Sequence, residues 1–332
     1  MGMMDEILRK AKANPQVVAF PEIGEEKILK AAQECAAQGI CKPMLVGKGE
    51  EIKAAVAQFG IDMTGIFVFD TTDEAACEEV FNAYGELNTE MSAKAIRRKA
   101  KDDMYVALMM LAIGKVDVMF AGMSHTTGEV IWGGQTIVGL KEGVTTVSSI
   151  GVSQIPGWNG SEGDLLIIGD SAVCVNPDPA DLASIAVSAC DTARELLGWE
   201  PRCAMVSYST DGSAESELVD KVRKGVEIAR QMRPTYAIDG EFQLDAAIIP
   251  AVAAKKVKRE SPVAGKANII IWPDLNVGNI GVKLLQIFGH ADAYGPVLQG
   301  FKKIVCDCSR SAPVSEIVGN VAIAGVRAQN NK

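Results

Sequence analysis

The chain has 332 residues, 48% apolar and 23% charged, with 33 Lys and Arg against 42 Asp and Glu for a net charge of -9. At about 150 residues per domain this is the composition of a two-domain globular protein, and it excludes a disordered or collagen-like chain. The longest apolar runs, such as residues 104–114, fall short of the roughly 18 residues a membrane span needs, and an acidic chain with 5% aromatics lacks the basic stripe and stacking rings of a nucleic-acid binder.

The opening MGMMDEILRKAKANPQ sets Met4, Ile7, Leu8 and Ala11 at helical spacing and has no apolar core before a small-residue cleavage site. It reads as a surface helix of a protein expected to be cytoplasmic, and Glu6 stands where a myristoylation signal wants Ser or Thr. Apolar, β-branched runs follow at residues 17–22, 43–47, 66–70 and 116–122. Between them lie helical patterns such as EEKILKAAQECAAQG, with Ile28, Leu29, Ala32 and Cys35 on one face and Gly39 as the stop signal. Strands alternating with helices predict a parallel sheet covered on both faces.

The same rhythm restarts near Thr145 with TTVSSIGVSQI and DLLIIGDSAVCVNP, then a helix over residues 179–197 opened by an Asp-Pro turn. It continues through RCAMVSYST, a helix through residues 219–232, the apolar runs DAAIIP and KANIIIWPD, and a helical VGNIGVKLLQIFG. No Pro/Gly/Ser-rich linker separates the halves, so rhythm alone places the first boundary near GVTTVSS. The expected fold class is α/β with two parallel-sheet domains. The eight cysteines sit mostly in apolar runs and read as buried free thiols. Cys306 and Cys308 match neither a CxxC redox motif nor a zinc knuckle, and only His125 and His290 could complete a site, so no metal is expected.

Ligands of parallel α/β sheets bind at the carboxyl ends of the strands, and four segments just after apolar runs are small and polar. AGMSHTTGE offers Gly122 for close backbone approach and Ser124, His125, Thr126 and Thr127 as donors; the same hydroxyls would serve equally to cap the next helix. VSYSTDGS offers Ser207, Tyr208, Ser209 and Thr210 as an anion-cradling turn, with capping again the alternative. WPDLNVGNIG places Asp274, Asn276 and Asn279 before a helix N-terminus that could face an anion, but it matches neither GxGxxG nor GxxxxGK[ST]. VCDCSRSAPVSEIV carries Ser309, Arg310 and Glu316: a hydroxyl, a planar fork suited to phosphate and a carboxylate, each equally at home on a solvated surface. An acidic chain can still hold a small anion there, because local cations and backbone N–H groups set the field in a cleft.

Taken together, these segments resemble the phosphate acetyltransferase and phosphate butyryltransferase family. The likeness runs through GxxHTT at 122–127, GVTTVSS at 143–149, CVNPDP at 174–179, MVSYST at 205–210 and IDGEFQLDAAIIP at 238–250. It continues through SPVAGKANIIIWPDLNVGNIGVK at 261–283, GPVLQG at 295–300 and DCSR at 307–310, so it covers the whole chain. IDGE and PVAGKAN point toward the acetyl branch.

The resemblance implies reversible transfer of a short acyl group, most readily acetyl, between coenzyme A and inorganic phosphate, with coenzyme A as substrate and no bound cofactor or metal. It implies two α/β domains of the isocitrate/isopropylmalate dehydrogenase type, residues 1–143 with 299–332 and residues 144–298, a cleft between them, and a homodimer. Ser309 and Arg310 match the family's serine and arginine, expected to stabilise the oxyanion and bind phosphate. Ser124 to Thr127, Ser207 to Thr210, Asp274, Asn276, Asn279 and Lys283 are expected to build the pocket wall.

The chain departs from the family pattern in three places. Glu316 stands where an aspartate, the proposed base, is usual. Trp132 stands where an arginine is usual, and the stretch at 84–91 has lost its basic residues. The alternative functional expectations are a propionyl or butyryl transferase, or a non-catalytic paralogue that binds an acyl phosphate.

Overall fold

The structure, a computed structural model, describes residues 2–88 and 90–331. In chain order the elements begin with α1 (Met3–Ala13), β1 (Val17–Phe20), α2 (Glu26–Gln38), β2 (Lys42–Gly47), α3 (Gly49–Phe59), β3 (Phe67–Asp70), α4 (Glu74–Leu87), α5 (Ala93–Lys99), α6 (Asp103–Ala112), β4 (Val118–Ala121) and α7 (Thr127–Ile137). There follow β5 (Ser148–Gln154), β6 (Leu165–Gly169), α8 (Pro179–Leu197), β7 (Arg202–Val206), α9 (Glu217–Met232), β8 (Ala237–Phe242), α10 (Leu244–Ile248), α11 (Pro250–Lys256), β9 (Ile269–Ile271), α12 (Leu275–Phe288) and β10 (Asp292–Gln299). The chain closes with β11 (Ile304–Asp307) and α13 (Val314–Asn330). It folds as two compact units, Met1–Gly139 with Phe301–Lys332, and Leu140–Gly300.

The first unit holds a five-stranded sheet in the order β11-β4-β1-β2-β3, parallel throughout. All four residues of β4 are buried, as expected of a strand covered on both faces. The cover includes α6, whose Val106 to Leu111 run is buried, and α13, buried from Val321 to Arg327. On α2 the predicted face is the buried one, and Gly39 ends the helix in the left-handed region at φ 68. Strand order runs to one side from β1 through β2 to β3, while β4 and β11 lie on the other side. The sheet therefore reverses between β1 and β4, and loops leaving their carboxyl ends diverge to open a crevice.

The second unit holds a six-stranded sheet, β10-β5-β6-β9-β7-β8. Its β6, β9, β7 and β8 form the expected parallel core, and β5 adds an antiparallel edge, pairing antiparallel with both β6 and β10. Only residues 155–164 join β5 to β6, too few for the crossover of about a dozen residues that a parallel pair requires.

The apolar run DAAIIP is not a strand. Leu244–Ile248 is helical and Pro250 opens the next helix at its first turn. The strand in this interval is Ala237–Phe242, concealed in the sequence by Asp239 and Glu241. Both carboxylates are buried and paired, Asp239 with Arg230 and Arg259, Glu241 with Arg223, which offsets the cost of burying charge. The helix expected over 179–197 is α8. Asp178 caps it by accepting from the Ala180 and Asp181 N–H groups, and Gly198 ends it at φ 71.

All eight cysteines are free, six of them buried and Cys174 and Cys306 half-buried. Among the described residues no cluster of three or more His, Cys, Asp or Glu could hold a metal ion, and no helix is long and apolar enough to cross a membrane.

Candidate active site

In the first unit the crevice is organised by Glu22, two residues beyond β1. Its side chain is buried, and its carboxylate accepts from the backbone N–H groups of Gly122 (3.1 Å), Met123 (2.8 Å), Ser124 (3.1 Å) and His125 (2.9 Å), and from His125 Nδ1 (2.9 Å). The loop after β4 is thus wrapped around one carboxylate. Burial opposes ionisation of Glu22, but the bonds from the His125 ring and from the backbone of His125, Met123 and Gly122 outweigh it and hold the carboxyl down at about 2.

His125 reaches Asp102 through Nε2 at 3.3 Å. Hydrogen bonds to Asp102 and Glu22, against some desolvation, raise its pKa to about 10, so the ring is an imidazolium and both nitrogens donate. Ser124 is exposed beside it. Thr126 is the N-cap of α7 in a reciprocal box with Glu129: its Oγ1 accepts from the Glu129 N–H, and Glu129 Oε2 accepts from the Thr126 N–H at 2.7 Å. For Thr126 the capping alternative holds, and its hydroxyl is committed. Thr127 instead donates to Asp307 Oδ2 at 2.6 Å.

Asp307 ends β11, the strand that neighbours β4. The two loops meet so closely that a Cβ on Gly122, at φ 118, would lie 2.3 Å from Asp307 Oδ1 and 2.6 Å from the Cys308 backbone nitrogen. Burial, reinforced by the charge of Glu22 and opposed by the bonds from the Thr127 hydroxyl and the Cys308 backbone, raises the Asp307 carboxyl to about 6. Beyond it, Ser309 and Arg310 are exposed on the turn. Ser309 Oγ lies 2.8 Å from Ser311 Oγ, and the Arg310 carbonyl accepts from Lys27 Nζ at 3.4 Å. Glu316 is exposed in the first turn of α13. The structure therefore brings Ser124 to Thr127 and Ser309 to Glu316 onto the carboxyl ends of adjacent strands of one sheet.

Trp132 projects from α7 with 64% of its surface exposed. Tyr84, by contrast, is buried with its hydroxyl donating to the Ile137 carbonyl at 3.1 Å. Of the 84–91 stretch, Thr89 lies outside the described residues.

In the second unit the predicted residues divide. Ser207, Tyr208 and Asp274 line a mostly apolar cavity of about 360 Å³ with Leu218, Leu244 and Trp272, at the carboxyl ends of β7, β8 and β9. Asn279 and Lys283 line another, of about 240 Å³, with Ser149, Ser171 and Tyr294. Ser209 and Thr210 are buried. The Ser209 hydroxyl donates to Glu241 at 2.8 Å, and Thr210 Oγ1 accepts from the Gln243 N–H at 2.8 Å, so both shape the loop from within. Asp274 caps α12 by accepting from the Val277 N–H, and Asn276 is exposed on that helix's first turn.

Sequence reasoning missed the carboxylates that position these loops. Glu22 fixes 122–125, and Glu241 fixes the 207–213 loop through Ser209 and the Gly212 N–H. Asp170, accepting from Ser149 Oγ and the Ala172, Val173 and Cys174 N–H groups, fixes the turn after β6. Two of the missed acids share a local signal with Asp307: Glu22, Asp170 and Asp307 each end an apolar run, as AFPE, IIGD and IVCD.

A family model described as phosphate acetyl/butaryl transferase matches residues 2–325. The chain is 40% identical to a phosphate acetyltransferase of Clostridium acetobutylicum and 38% identical to one of Acetivibrio thermocellus, each over 331 residues covering 99% of both proteins. Among solved structures, a phosphotransacetylase from Streptococcus pyogenes superposes with a TM-score of 0.88 at 30% identity, covering 98% of each chain.

Proposed function

We propose, on the premise that the chain belongs to the phosphate acetyl/butaryl transferase family, that it transfers a short acyl group, acetyl first, between coenzyme A and inorganic phosphate. The chain is an acyltransferase. The observation that carries the reading within the site is the exposed Ser309-Arg310 turn at the end of β11, beside a 122–127 loop whose backbone Glu22 holds fixed.

The reaction sets three physical demands. A thiol with an ordinary pKa of about 8.5 must attack as thiolate, charge builds on the acyl oxygen, and the second substrate is a dianion. The Arg310 guanidinium supplies a charge-assisted fork for the phosphoryl group. The Ser309 hydroxyl is a donor for the developing oxyanion, a kind of contact worth about 3 kcal/mol where it has been removed in other enzymes. Glu316 is the available base to which the family resemblance points. Coenzyme A is then a substrate, and no resident cofactor or metal takes part.

The proposal includes a homodimer built on α12. This helix buries only Gly278, and Val277, Ile280, Leu284, Ile287 and Phe288 are between 42% and 76% exposed. The stripe is on the order of 500 Å², toward the upper limit for a monomer's largest apolar patch; two copies bury on the order of 1,000 Å², the floor for a specific interface. Replacement of Ile280 and Phe288 by Asp is expected to give monomers in light scattering; a wild-type chain already monomeric at micromolar concentration refutes this part.

The activity is tested by mixing the protein with acetyl phosphate and coenzyme A and following thioester absorbance. Turnover abolished by Ser309→Ala or Arg310→Ala supports the reading and excludes a purely binding paralogue. No turnover with acetyl, propionyl or butyryl phosphate refutes it.

A further inference from the structure

We propose that the basic run at the end of α5 binds the ribose 3′-phosphate of coenzyme A through Arg98, Lys99 and Lys101, an inference that rests on the acyl-transfer reading above and places the far end of that substrate. Residues 84–91 carry no Lys or Arg, whereas residues 94–101 carry five, Lys94, Arg97, Arg98, Lys99 and Lys101, with no Asp or Glu among them. Among the described residues only Arg97 of the five has an ionic partner, a two-point bond with Glu78 at 2.9 and 2.6 Å. A helix C-terminus attracts cations through its dipole, and that alone would account for exposed ones. Lys99 is of another kind. It is half-buried, with its ammonium 4.4 Å from the centre of the Tyr105 ring. Burial, and after it the charge of Arg98, holds its pKa below the ordinary lysine value. A cation desolvated beside a like charge costs free energy, and a bound dianion removes that cost.

Four acids on the flanking elements are turned elsewhere. Glu78 holds Arg97, Glu79 holds Lys115 at 3.3 Å, Asp102 takes His125 Nε2 and the Met104 N–H, and Glu129 accepts from Thr126 at the start of α7. The positive charge of Arg98, Lys99 and Lys101 is therefore left for a ligand. A phosphate monoester suits the set, since a guanidinium offers it a planar fork and the two ammonium groups act as point charges.

The run also lies where the far end of a long substrate belongs. It leads straight into the crevice, because Lys101 precedes Asp102, whose carboxylate reaches His125. Tyr105, in the first turn of α6, packs against α7 at Gly133, where a Cβ would lie 3.9 Å from its ring. Gly133 is six residues beyond Thr127, about 9 Å along the axis of α7. The cations are thus set back along α7 from the strand ends that carry Thr127 and the Ser309-Arg310 turn. Coenzyme A has the same layout, with its thiol at one end and its 3′-phosphate at the other, joined by a flexible arm. Arg310 then serves the phosphoryl group that reacts, and the end of α5 the phosphate that does not.

The test compares coenzyme A with dephospho-coenzyme A, which lacks only the 3′-phosphate. Wild-type kcat/KM is expected to favour coenzyme A by at least about tenfold, the equivalent of one charge-assisted bond. The triple variant Arg98→Gln, Lys99→Gln, Lys101→Gln removes the charges and keeps long polar side chains; its KM for coenzyme A is expected to rise at least about tenfold and its preference to fall within about threefold. KM for acetyl phosphate is expected to stay in place, and Lys12→Gln, which removes an exposed cation from α1, to change neither KM. Calorimetric titration of the same two ligands without acetyl phosphate reads the site independently of turnover. Equal use and equal binding of the two ligands by the wild type, or a preference that persists in the triple variant, overturns the site. A wild-type chain that binds coenzyme A with this preference but turns over no acyl phosphate overturns the acyl-transfer reading and leaves the site standing, and one that binds neither ligand overturns both.

Discussion

Replacing Glu22 by Gln tests whether one buried charge fixes the site. Gln has nearly the same shape and keeps one acceptor, so Oε1 can still take the Gly122, Ser124 and His125 N–H groups that it binds now. The amide nitrogen would then face the Met123 N–H, which now donates to Oε2 at 2.8 Å, donor against donor. A carboxyl at about 2 rather than 4.5 favours the folded chain by about 3 kcal/mol once both states are ionised. Because the folded pKa is the lower one, this contribution is full above 4.5 and is lost as pH falls toward 2. Read from the His125 end, a pKa raised from 6.5 to about 10 gives a contribution full below 6.5 and lost as pH rises toward 10. The two share the Glu22–His125 bond and so do not simply add, though Glu22 is also held by backbone N–H groups and His125 by Asp102; the cluster stabilises most between pH 4.5 and 6.5.

Two measurements check this. The chain has only two histidines, so the His125 ring is assigned in a proton NMR titration by comparison with His290→Asn. The wild-type ring is expected to stay protonated past pH 8. In Glu22→Gln the ring keeps a neutral acceptor at Oε1 (2.9 Å) and the Asp102 carboxylate at 3.3 Å but loses the Glu22 charge, and the midpoint is expected to drop by at least about one unit. Amide exchange of residues 122–125 is expected to rise by about a hundredfold, the equivalent of about 3 kcal/mol. A wild-type ring titrating near 6.5, or a variant that moves neither observable, refutes the reasoning.

Three further outcomes follow from named contacts. Gly122→Ala forces a Cβ to 2.3 Å from Asp307 Oδ1 at φ 118; strain of about 1–3 kcal/mol is expected to lower Tm, and displacement of the Ser309-Arg310 turn to reduce kcat, both measured on the purified variant. Asp178→Ala removes the acceptor for the Ala180 and Asp181 N–H groups at the start of α8 and is expected to cost about 1 kcal/mol in urea unfolding. Trp132→Arg places a cation on the exposed face of α7; if coenzyme A phosphates pass there, a charge-assisted bond of about 1.5–3 kcal/mol should lower KM for coenzyme A at least tenfold, and an unchanged KM refutes that route.

Which elements could be read from the residues depended on whether their cause was local. The strands of the first unit are continuous apolar runs because both faces are covered, and α8 carries its own start and stop in Asp178 and Gly198. Strand β8 was hidden because the partners that make Asp239 and Glu241 tolerable inside a sheet come from elsewhere: Arg223 and Arg230 on α9, and Arg259 after α11. The antiparallel edge of the second sheet was hidden for a related reason, since alternation of strands and helices says nothing about the direction in which a strand is laid down.

At the site, the same contrast separates the hydroxyl loops, visible as polar runs after apolar strands, from the acids that hold them. Glu22 meets its loop across a hundred residues, and nothing near Pro21 reveals what it binds. These acids also change what the net charge of -9 means for an anionic ligand. Glu22 and Glu241 are buried and turned onto backbone N–H groups, His125 or Arg223, so much of their field is cancelled where they sit. The exposed charge on the Ser309-Arg310 turn is the Arg310 guanidinium. An acidic chain can therefore present a locally cationic strand end to a phosphate.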